Sequence, residues 1–382
     1  MSREIMKIKD LLVEKLIIET KKKKDTNSKR IKRLLNLPDL SRKEKSPIKF
    51  IVDAILSIER FKDFDIIEIP EVVSVKNNFD LLNTPINHPS RKKTDTYYLN
   101  EKYVLRTHTT TMWPFYIKHP KVQEKIKNNE ELKALCYGKV YRKDEIDRNH
   151  FPAFHQIDGL YICKKEKKII KVENLKEVLI DIAKKIYGNS VKYKVLKDSF
   201  PFTDPSIQVE IKRDEDWLEI LGAGIVHKEV LKKLNLDPSI YNGWAFGFGL
   251  ERLAMIKMNV PDIRVFWSND ERITRQFKDI NSKYEEVSKF PMTSRDISFI
   301  VDQDTELNSY YEIVRDYGKD LVEEVILIDK YKNPEKIGKN KISYTFRIIY
   351  RSHERTLTNE EINRIQAKIR RKTSEELKAQ LR

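Results

Sequence analysis

Cysteine is scarce in this chain: Cys136 and Cys163 are the two among 382 residues. They lie far apart and match no metal-ligand spacing, so they read as free thiols in a reducing compartment rather than as a disulfide framework. Long apolar runs are missing too, and none approaches the roughly 20 residues of a membrane span. The first residues lack the apolar core and small-residue cleavage site of a secretory signal. Glu4, Asp10, Glu14 and Glu19, with little arginine between them, also make a poor transit peptide. The expectation is a cytoplasmic protein, with the mitochondrial matrix or another organelle after processing as the alternative. The chain has no internal repeat, no phosphate-binding P-loop and no dinucleotide glycine fingerprint. His108, His150 and His155 have neither cysteine partners nor His-x-x-x-His spacing, which argues against zinc.

What the chain has in quantity is charge. Charged residues make up 35% and the formal net charge is +16. Residues 1–50 hold 16 lysines and arginines against 7 acids, and residues 341–382 hold 11 against 5. Basic ends around a nearly neutral middle suit a polyanion gripped at its periphery, such as nucleic acid; the bland alternative is a lysine-rich, well-solvated surface.

The length suits two or three domains. "IMKIKDLLVEKLIIETKKKKDTNSKR" starts as an amphipathic helix and ends in a charged run, and residues 1–45 as a whole read as a mobile basic extension. "SPIKFIVDAILSIERF" follows as a helix, with Ser46 as N-cap and Pro47 in the first position. "FDIIEIPEVV" reads as a strand interrupted by Pro70 at an edge or bulge. Up to residue 270 strand patterns cluster without regular helical crossovers: "TYYLN", "YVLRTHT", "ALCYGKVYRK", "AFHQIDGLYIC", "IQVEIK" and "WLEILGAGIV". Helices are expected at "HPKVQEKIKNNEELKA", "VENLKEVLIDIAKKIYG" and "FGLERLAMIKM". The class is therefore α+β with a largely antiparallel sheet over 46–270. Residues 271–289 read as a linker. Residues 290–382 follow a β-α-β-β-α order, a ferredoxin-like split βαβ module, whose last helix opens on a Thr358-x-x-Glu361 capping box.

Chemistry concentrates in four stretches. "VYRKDEIDRNHFPAFHQIDG" (140–159) carries two arginines, two histidines, a glutamine and two phenylalanines beside several carboxylates. Alternation puts Gln156 and Asp158 on one strand face. An amide and a carboxylate turned inward are costly unless they bind something, and a small zwitterion would satisfy both; a solvent-facing strand side is the alternative. Arg142, at the strand end, suits a phosphate, although a surface ion pair with Asp144, Glu145 or Asp147 is equally ordinary. In "GWAFGFGLERLAM" (243–255) glycines border a strand leading into a helix. Arg252 sits in the first helical turns, where a cation gains nothing from the helix dipole, which points to an anionic ligand; a tight packing turn is the plain reading. In "DSFPFTDPS" (198–206) Phe200 and Phe202 point the same way and suit an aromatic pocket wall or plain core. "LRTHTTTMW" (105–113) places His108 and two hydroxyls after a strand.

Together these segments resemble a known family. The Arg142 strand-loop-strand and "GFGLERLAM" resemble motifs 2 and 3 of class II aminoacyl-tRNA synthetases. "NFDLLNTPINHPSRKKTDTYYLN", "LRTHTT", "HFPAFHQIDG", "FPFTDPS" and "GWAFGFGLERLAM" resemble phenylalanyl-tRNA synthetases of the single-chain, mitochondrial type. "RDISF" and "ERTLTNEEI" are similar to their ferredoxin-like anticodon-binding domain. The likeness spans about 46 to 382.

The resemblance implies ATP-dependent formation of phenylalanyl-adenylate and transfer to tRNA(Phe), with Mg²⁺. It implies Arg142 at the α-phosphate and Arg252 at the γ-phosphate end as the catalytic pair. Asp144 and His150 would contact the nucleotide, and Phe154 would stack on adenine. His108, Thr110, Gln156 and Asp158 would hold the ammonium and carboxylate of phenylalanine. Phe200 and Phe202 would grip its ring, and Ala245 would floor the pocket. Glu219 and Asp204 would be Mg²⁺ ligands. Arg351, Arg355, Arg364, Lys368, Arg370 and Arg371 would meet tRNA. A monomer is implied, with a homodimer as the class II alternative. Thr110 stands where the family commonly has serine, and Asp158, one methylene short, where it has glutamate. The first 45 residues match nothing in the family. The rival reading is a catalytically inactive synthetase-like RNA-binding protein.

Overall fold

The computed structural model describes residues 5–213, 215–286, 290–352 and 354–382. The chain forms two compact units. The first comprises Met1–Tyr141, Ala153–Val260 and Val265–Tyr284; the second comprises Arg142–Pro152, Pro261–Arg264 and Glu285–Arg382.

In the first unit lie β1 (Ile5–Lys7), β2 (Asp65–Glu68), β3 (Val72–Ser74), β4 (Tyr98–Asn100), β5 (Tyr103–Leu105), β6 (Leu132–Tyr141), β7 (Ala153–Lys164), β8 (Tyr193–Phe200), β9 (Thr203–Arg213), β10 (Asp216–Val226) and β11 (Tyr241–Gly249). Eight of them form one sheet in the order β1-β2-β6-β7-β11-β10-β9-β8, and β3-β5-β4 form a small second sheet. Pairing is antiparallel from β6 to β8 and parallel at β1/β2 and β2/β6. Pro70 separates β2 from β3, which join different sheets, because proline has no N–H to donate to a ladder.

The helices Pro47–Leu56, Val172–Tyr187 and Leu250–Met258 pack together against β7 and β10. Ser46 caps the first, its hydroxyl accepting from the Ile48 N–H at 3.2 Å. The second turns Leu175, Val178, Leu179, Ile182, Ala183 and Ile186 inward, the 3.6-residue period of a core-facing stripe. Burial of each large member contributes about 1.5–3 kcal/mol. The helix expected through residue 134 instead ends at Lys127. Asn129 turns left-handed (φ 59°), and β6 starts at Leu132. An isolated asparagine tolerates that conformation because its short side chain can bond locally.

Residues 5–45 are not the mobile extension that their lysines suggest. After β1 come helices Leu11–Lys22 and Thr26–Leu35, capped by Asp10 and Asp25, with Val13, Ile31, Leu34 and Leu40 buried. The first helix agrees with the amphipathic start of this stretch, and the lysines line the outer faces of two packed helices rather than of a mobile arm. Residues 271–284, read as linker, belong to the first unit, and residues 287–289 lie outside the described residues.

The second unit contains β12 (Thr293–Asp302), β13 (Val322–Tyr331), β14 (Lys341–Tyr350) and β15 (Gln380–Leu381) in the order β13-β14-β12-β15, all antiparallel. Helices Asn308–Gly318 and Asn359–Leu377 pack against each other, and their buried residues join Phe299, Tyr344 and Phe346 in one core. Thr358 caps the last helix, accepting from the Glu361 N–H at 3.2 Å. The expected β-α-β-β-α order is present, with the short β15 added.

Candidate active site

Strand register assembles the site on one face of the large sheet. Gly247 pairs with Asp158 and Gly249 with Gln156 across β11/β7. Gly222 pairs with Gly247, and Gly224 with Ala245, across β10/β11. Glu219 pairs with Glu210, Gly222 with Gln208 and Gly224 with Ser206 across β10/β9. Residues directly opposite share a face, so one face carries Gln156, Asp158, Ala245, Gln208, Glu210 and Glu219 around a floor of glycines. The glycines make room. A Cβ on Gly247 would stand 2.6 Å from an Asp158 carboxylate oxygen, and one on Gly222 would stand 2.9 Å from the Phe200 ring.

Asp158 is buried, and its carboxylate accepts from the hydroxyls of Thr109 and of Thr110, the latter at 2.5 Å. Gln156 Oε1 accepts from the Thr109 N–H at 3.4 Å. The short 3₁₀ turn Thr109–Thr111 brings these groups in. The sequence singles out both hydroxyls of the threonine run, and the structure shows that Thr109, like Thr110, meets Asp158. A buried carboxylate fastened by neutral hydroxyls suits a ligand ammonium group.

Phe200 and Phe202 stack with centroids 6.0 Å apart and planes 5° apart. The spacing leaves no room for a third ring between them, so an aromatic ligand could approach only their edges. Phe202 also meets Trp113 edge-on at 6.0 Å and lies 5.9 Å from His108. The turn between the two phenylalanines is fastened by Ser206, whose hydroxyl accepts from the Phe200 N–H at 3.2 Å and donates to the Thr203 carbonyl at 2.9 Å. Ala245 is buried in the cluster that includes Cys136, Leu160 and Trp113, with Phe202 packed against it. Burial pushes the Cys136 thiol up to about 12, against the pull of Arg106 and Arg42.

Arg252 is exposed at the start of helix Leu250–Met258, and its Nη1 lies 3.4 Å from the Glu219 carbonyl. Glu219 is exposed opposite Glu210, whose carboxylate is 2.7 Å from Lys194 Nζ. Lys194 offsets part of the like-charge repulsion between the two carboxylates, and two oxygen-bearing side chains facing each other offer hard ligands to a divalent cation. Pairing Asp204 with Glu219 at one ion needs correction. Thr203 pairs with Val226 and Glu210 with Glu219, which sets Asp204 some six residues, roughly 20 Å, from Glu219 along the strands. Asp204 instead lines a cavity of about 1000 Å³ with Lys176, Lys197 and His227. Sequence spacing could not show Glu210, because cross-strand register is not written along the chain.

Phe154 is half-buried on β7, and a Cβ on Gly249 would lie 4.0 Å from its ring. Arg142, Asp144 and His150 fall in the segment grouped with the second unit. There Arg315 donates to the carbonyls of Asp144 and of Glu145, the latter at 2.9 Å, and Ile146 joins that unit's core. His150 Nδ1 lies 2.8 Å from the Asp147 carboxylate. The structure therefore brings His108, Thr110, Gln156, Asp158, Phe200, Phe202, Ala245, Arg252 and Glu219 into one unit and places these three in the other.

The basic residues of the C-terminal module divide. Arg351 pairs with Glu323 at 2.8 Å, and Arg355 grips Glu361 with two contacts at 2.7 and 2.5 Å. Arg370 donates to the Arg382 carbonyl at 3.2 Å. Arg364, Lys368 and Arg371 are exposed on helix Asn359–Leu377.

Residues 34–277 match the family model of the class II core domain (F) of tRNA synthetases, and residues 288–382 match that of the ferredoxin-fold anticodon binding domain. The fold and the glycine-floored sheet face thus define a class II aminoacyl-tRNA synthetase. The chain is 38% identical to a phenylalanine–tRNA ligase, chloroplastic/mitochondrial, of Arabidopsis thaliana, covering 90% of this chain and 80% of that one. It is 37% identical to the mitochondrial enzyme of Mus musculus, over 78% and 71%, and 32% identical to that of Saccharomyces cerevisiae, over 89% and 88%. The chain belongs to the phenylalanine–tRNA ligase family, in its single-chain mitochondrial type.

Proposed function

We propose that this chain activates L-phenylalanine with ATP and transfers the phenylalanyl group to tRNA(Phe). The observation that carries the reading is Asp158: a buried carboxylate on two threonine hydroxyls, above a glycine floor and beside the Phe200–Phe202 pair. Asp158 and Gln156 hold the amino-acid head and the two phenylalanines meet the ring, with His108 and Ala245 closing the pocket. Thr110 fixes the carboxylate that meets the ammonium. Arg252 neutralises the polyphosphate. Arg142, Asp144, His150 and Phe154 take the nucleotide contacts that the family likeness gives them. Glu219, joined by Glu210 rather than Asp204, fits Mg²⁺, which would supply charge neutralisation on the phosphates.

In the first step the phenylalanine carboxylate attacks the α-phosphorus, forming an acyl-phosphate bond and expelling pyrophosphate. In the second, a terminal ribose hydroxyl of tRNA attacks the acyl carbon and expels AMP. Neither step needs an enzyme nucleophile, which fits a site of arginines, carboxylates and hydroxyls; orientation and charge stabilisation lower the barrier. Arg364 and Lys368 are exposed cations that fit tRNA phosphates, and Arg351, Arg355, Arg370 and Arg371, whose Nε lies 3.7 Å from the Glu375 carboxylate, act after exchanging their present partners. The relatives carry mitochondrial or chloroplastic names, which supports an organelle over the cytoplasm.

ATP–pyrophosphate exchange against a panel of amino acids tests the reading. Phenylalanine should support exchange, with tyrosine weaker by about 10²-fold, the modest rejection an apolar pocket gives an added hydroxyl. Absence of exchange with every amino acid, from folded protein with Mg²⁺, would favour an inactive RNA-binding scaffold. Glu210→Gln should raise the Mg²⁺ concentration needed for half-maximal exchange, and no change would remove Glu210 from the metal site.

A further inference from the structure

His155 does not share the site face of its neighbours Gln156 and Asp158. Alternation turns it to the opposite side, where it is wholly buried. Its Nδ1 lies 2.7 Å from the Glu251 carboxylate, and its backbone N–H donates to both Glu251 oxygens, at 3.0 and 2.8 Å. Its Nε2 lies 2.9 Å from the Leu40 amide and 3.4 Å from the Asp39 carboxylate, and Nδ1 donates to Glu251. Trp267 stacks on the ring at 5.4 Å. Leu40 is held in turn by its neighbours. Asp39 accepts from the Ser41 N–H at 3.0 Å and from Arg42 Nη1 at 2.6 Å, while Arg42 Nη2 reaches the Tyr137 carbonyl at 3.0 Å.

Glu251 is 2% exposed, in the first turn of the helix that presents Arg252. A carboxylate buried there is expensive, and an apolar residue would pack the same space without that cost. What an apolar residue would lack is direction. Two donors of His155, making three contacts to Glu251, set the rotation of the helix about its axis, and residue 252 follows from that rotation. The described tether of Arg252 itself is one long contact to the Glu219 carbonyl. Preorganised groups need such a supporting shell to hold their geometry.

We propose that Glu251, oriented by His155 and through it by the Leu40 amide, is a positioning residue for Arg252. Residues 39–42 thereby support nucleotide binding without touching substrate. The inference rests on the reading of Arg252 as a polyphosphate ligand.

The test is ATP–pyrophosphate exchange on the full chain, normalised to titrated active sites. Arg252→Gln is the reference and Glu251→Gln the probe. The expected result is a KM for ATP raised at least tenfold in both, with the KM for phenylalanine within twofold. His155→Asn, which retains an N–H near the Nδ1 position, should restore most of the ATP affinity relative to His155→Gln, which keeps only the acceptor for Leu40. If Glu251→Gln does not fold, the two His155 variants carry the comparison. A fall in active fraction with both KM values unchanged would make the pair merely structural and overturn the proposal. An equal rise in both KM values would also overturn it, as general distortion of the sheet. If Arg252→Gln itself leaves the ATP KM unchanged, the reading of Arg252 fails first and this inference with it.

Discussion

Gly247→Ala puts one methyl group directly against the carboxylate of Asp158. Its Cβ would stand 2.6 to 2.9 Å from the three carboxylate atoms of Asp158, where ordinary contact starts near 3.4 Å. Gly247 sits in the middle of β11, paired with both Asp158 and Gly222, so the backbone cannot yield without disturbing two ladders. Asp158 must retreat by roughly 0.8 Å instead, the difference between 2.6 and 3.4 Å. Retreat strains the bonds from Thr109 and Thr110. Overpacking costs about 1–3 kcal/mol, and a hydrogen bond to a charged group contributes about 1.5–3 kcal/mol. If about 1.4–2.8 kcal/mol of this falls on binding of the ammonium, the KM for phenylalanine rises roughly ten- to a hundredfold. The KM for ATP should stay within about twofold, because Arg252 and the Glu210–Glu219 pair lie away from the new methyl group. Pyrophosphate exchange with each substrate varied in turn measures both values. A folded Gly247→Ala protein whose phenylalanine KM stays within threefold of the parent would refute the placement of the ammonium at Asp158.

Other perturbations separate the parts of the molecule. Thr110→Val keeps the shape and removes one hydroxyl from Asp158; exchange kinetics should show a phenylalanine KM higher by about tenfold or more, from about 1.5–3 kcal/mol for a bond to a charge. Ile31→Ala should cost about 2–5 kcal/mol in denaturant unfolding, since Ile31 is fully buried, whereas a mobile extension would give no change. Because burial raises the Cys136 thiol to about 12, almost no thiolate forms at pH 8, and a thiol reagent should label Cys136 only after unfolding; rapid labelling of the native protein would contradict the buried placement.

Much of the site was legible where chemistry and period coincide within one segment. Gln156 and Asp158 are two apart on a strand, so their shared face follows from alternation alone. Phe200 and Phe202 do point together, with parallel rings, but Phe202 lies in the turn after β8, so the turn and not strand alternation aligns them. The Ser46 and Thr358 caps are local side-chain to backbone bonds, readable from three or four residues. The first N-terminal helix was legible from its apolar spacing, but the second was not, because lysine dominates composition there while the buried stripe of Ile31 and Leu34 is sparse.

The sequence by itself determined which groups the protein can bring to a phosphate, an ammonium and an aromatic ring, since donors, charges and rings are properties of residues. It also determined the local faces, since those follow from strand and helix periods. Only the tertiary structure decided which groups meet. Glu219 stands opposite Glu210 rather than Asp204, Thr109 reaches Asp158, and the amide of Leu40 reaches His155 across 115 positions of chain. Those pairings depend on strand register and on the closing of long loops, which many distant contacts settle together and no short stretch of chain encodes.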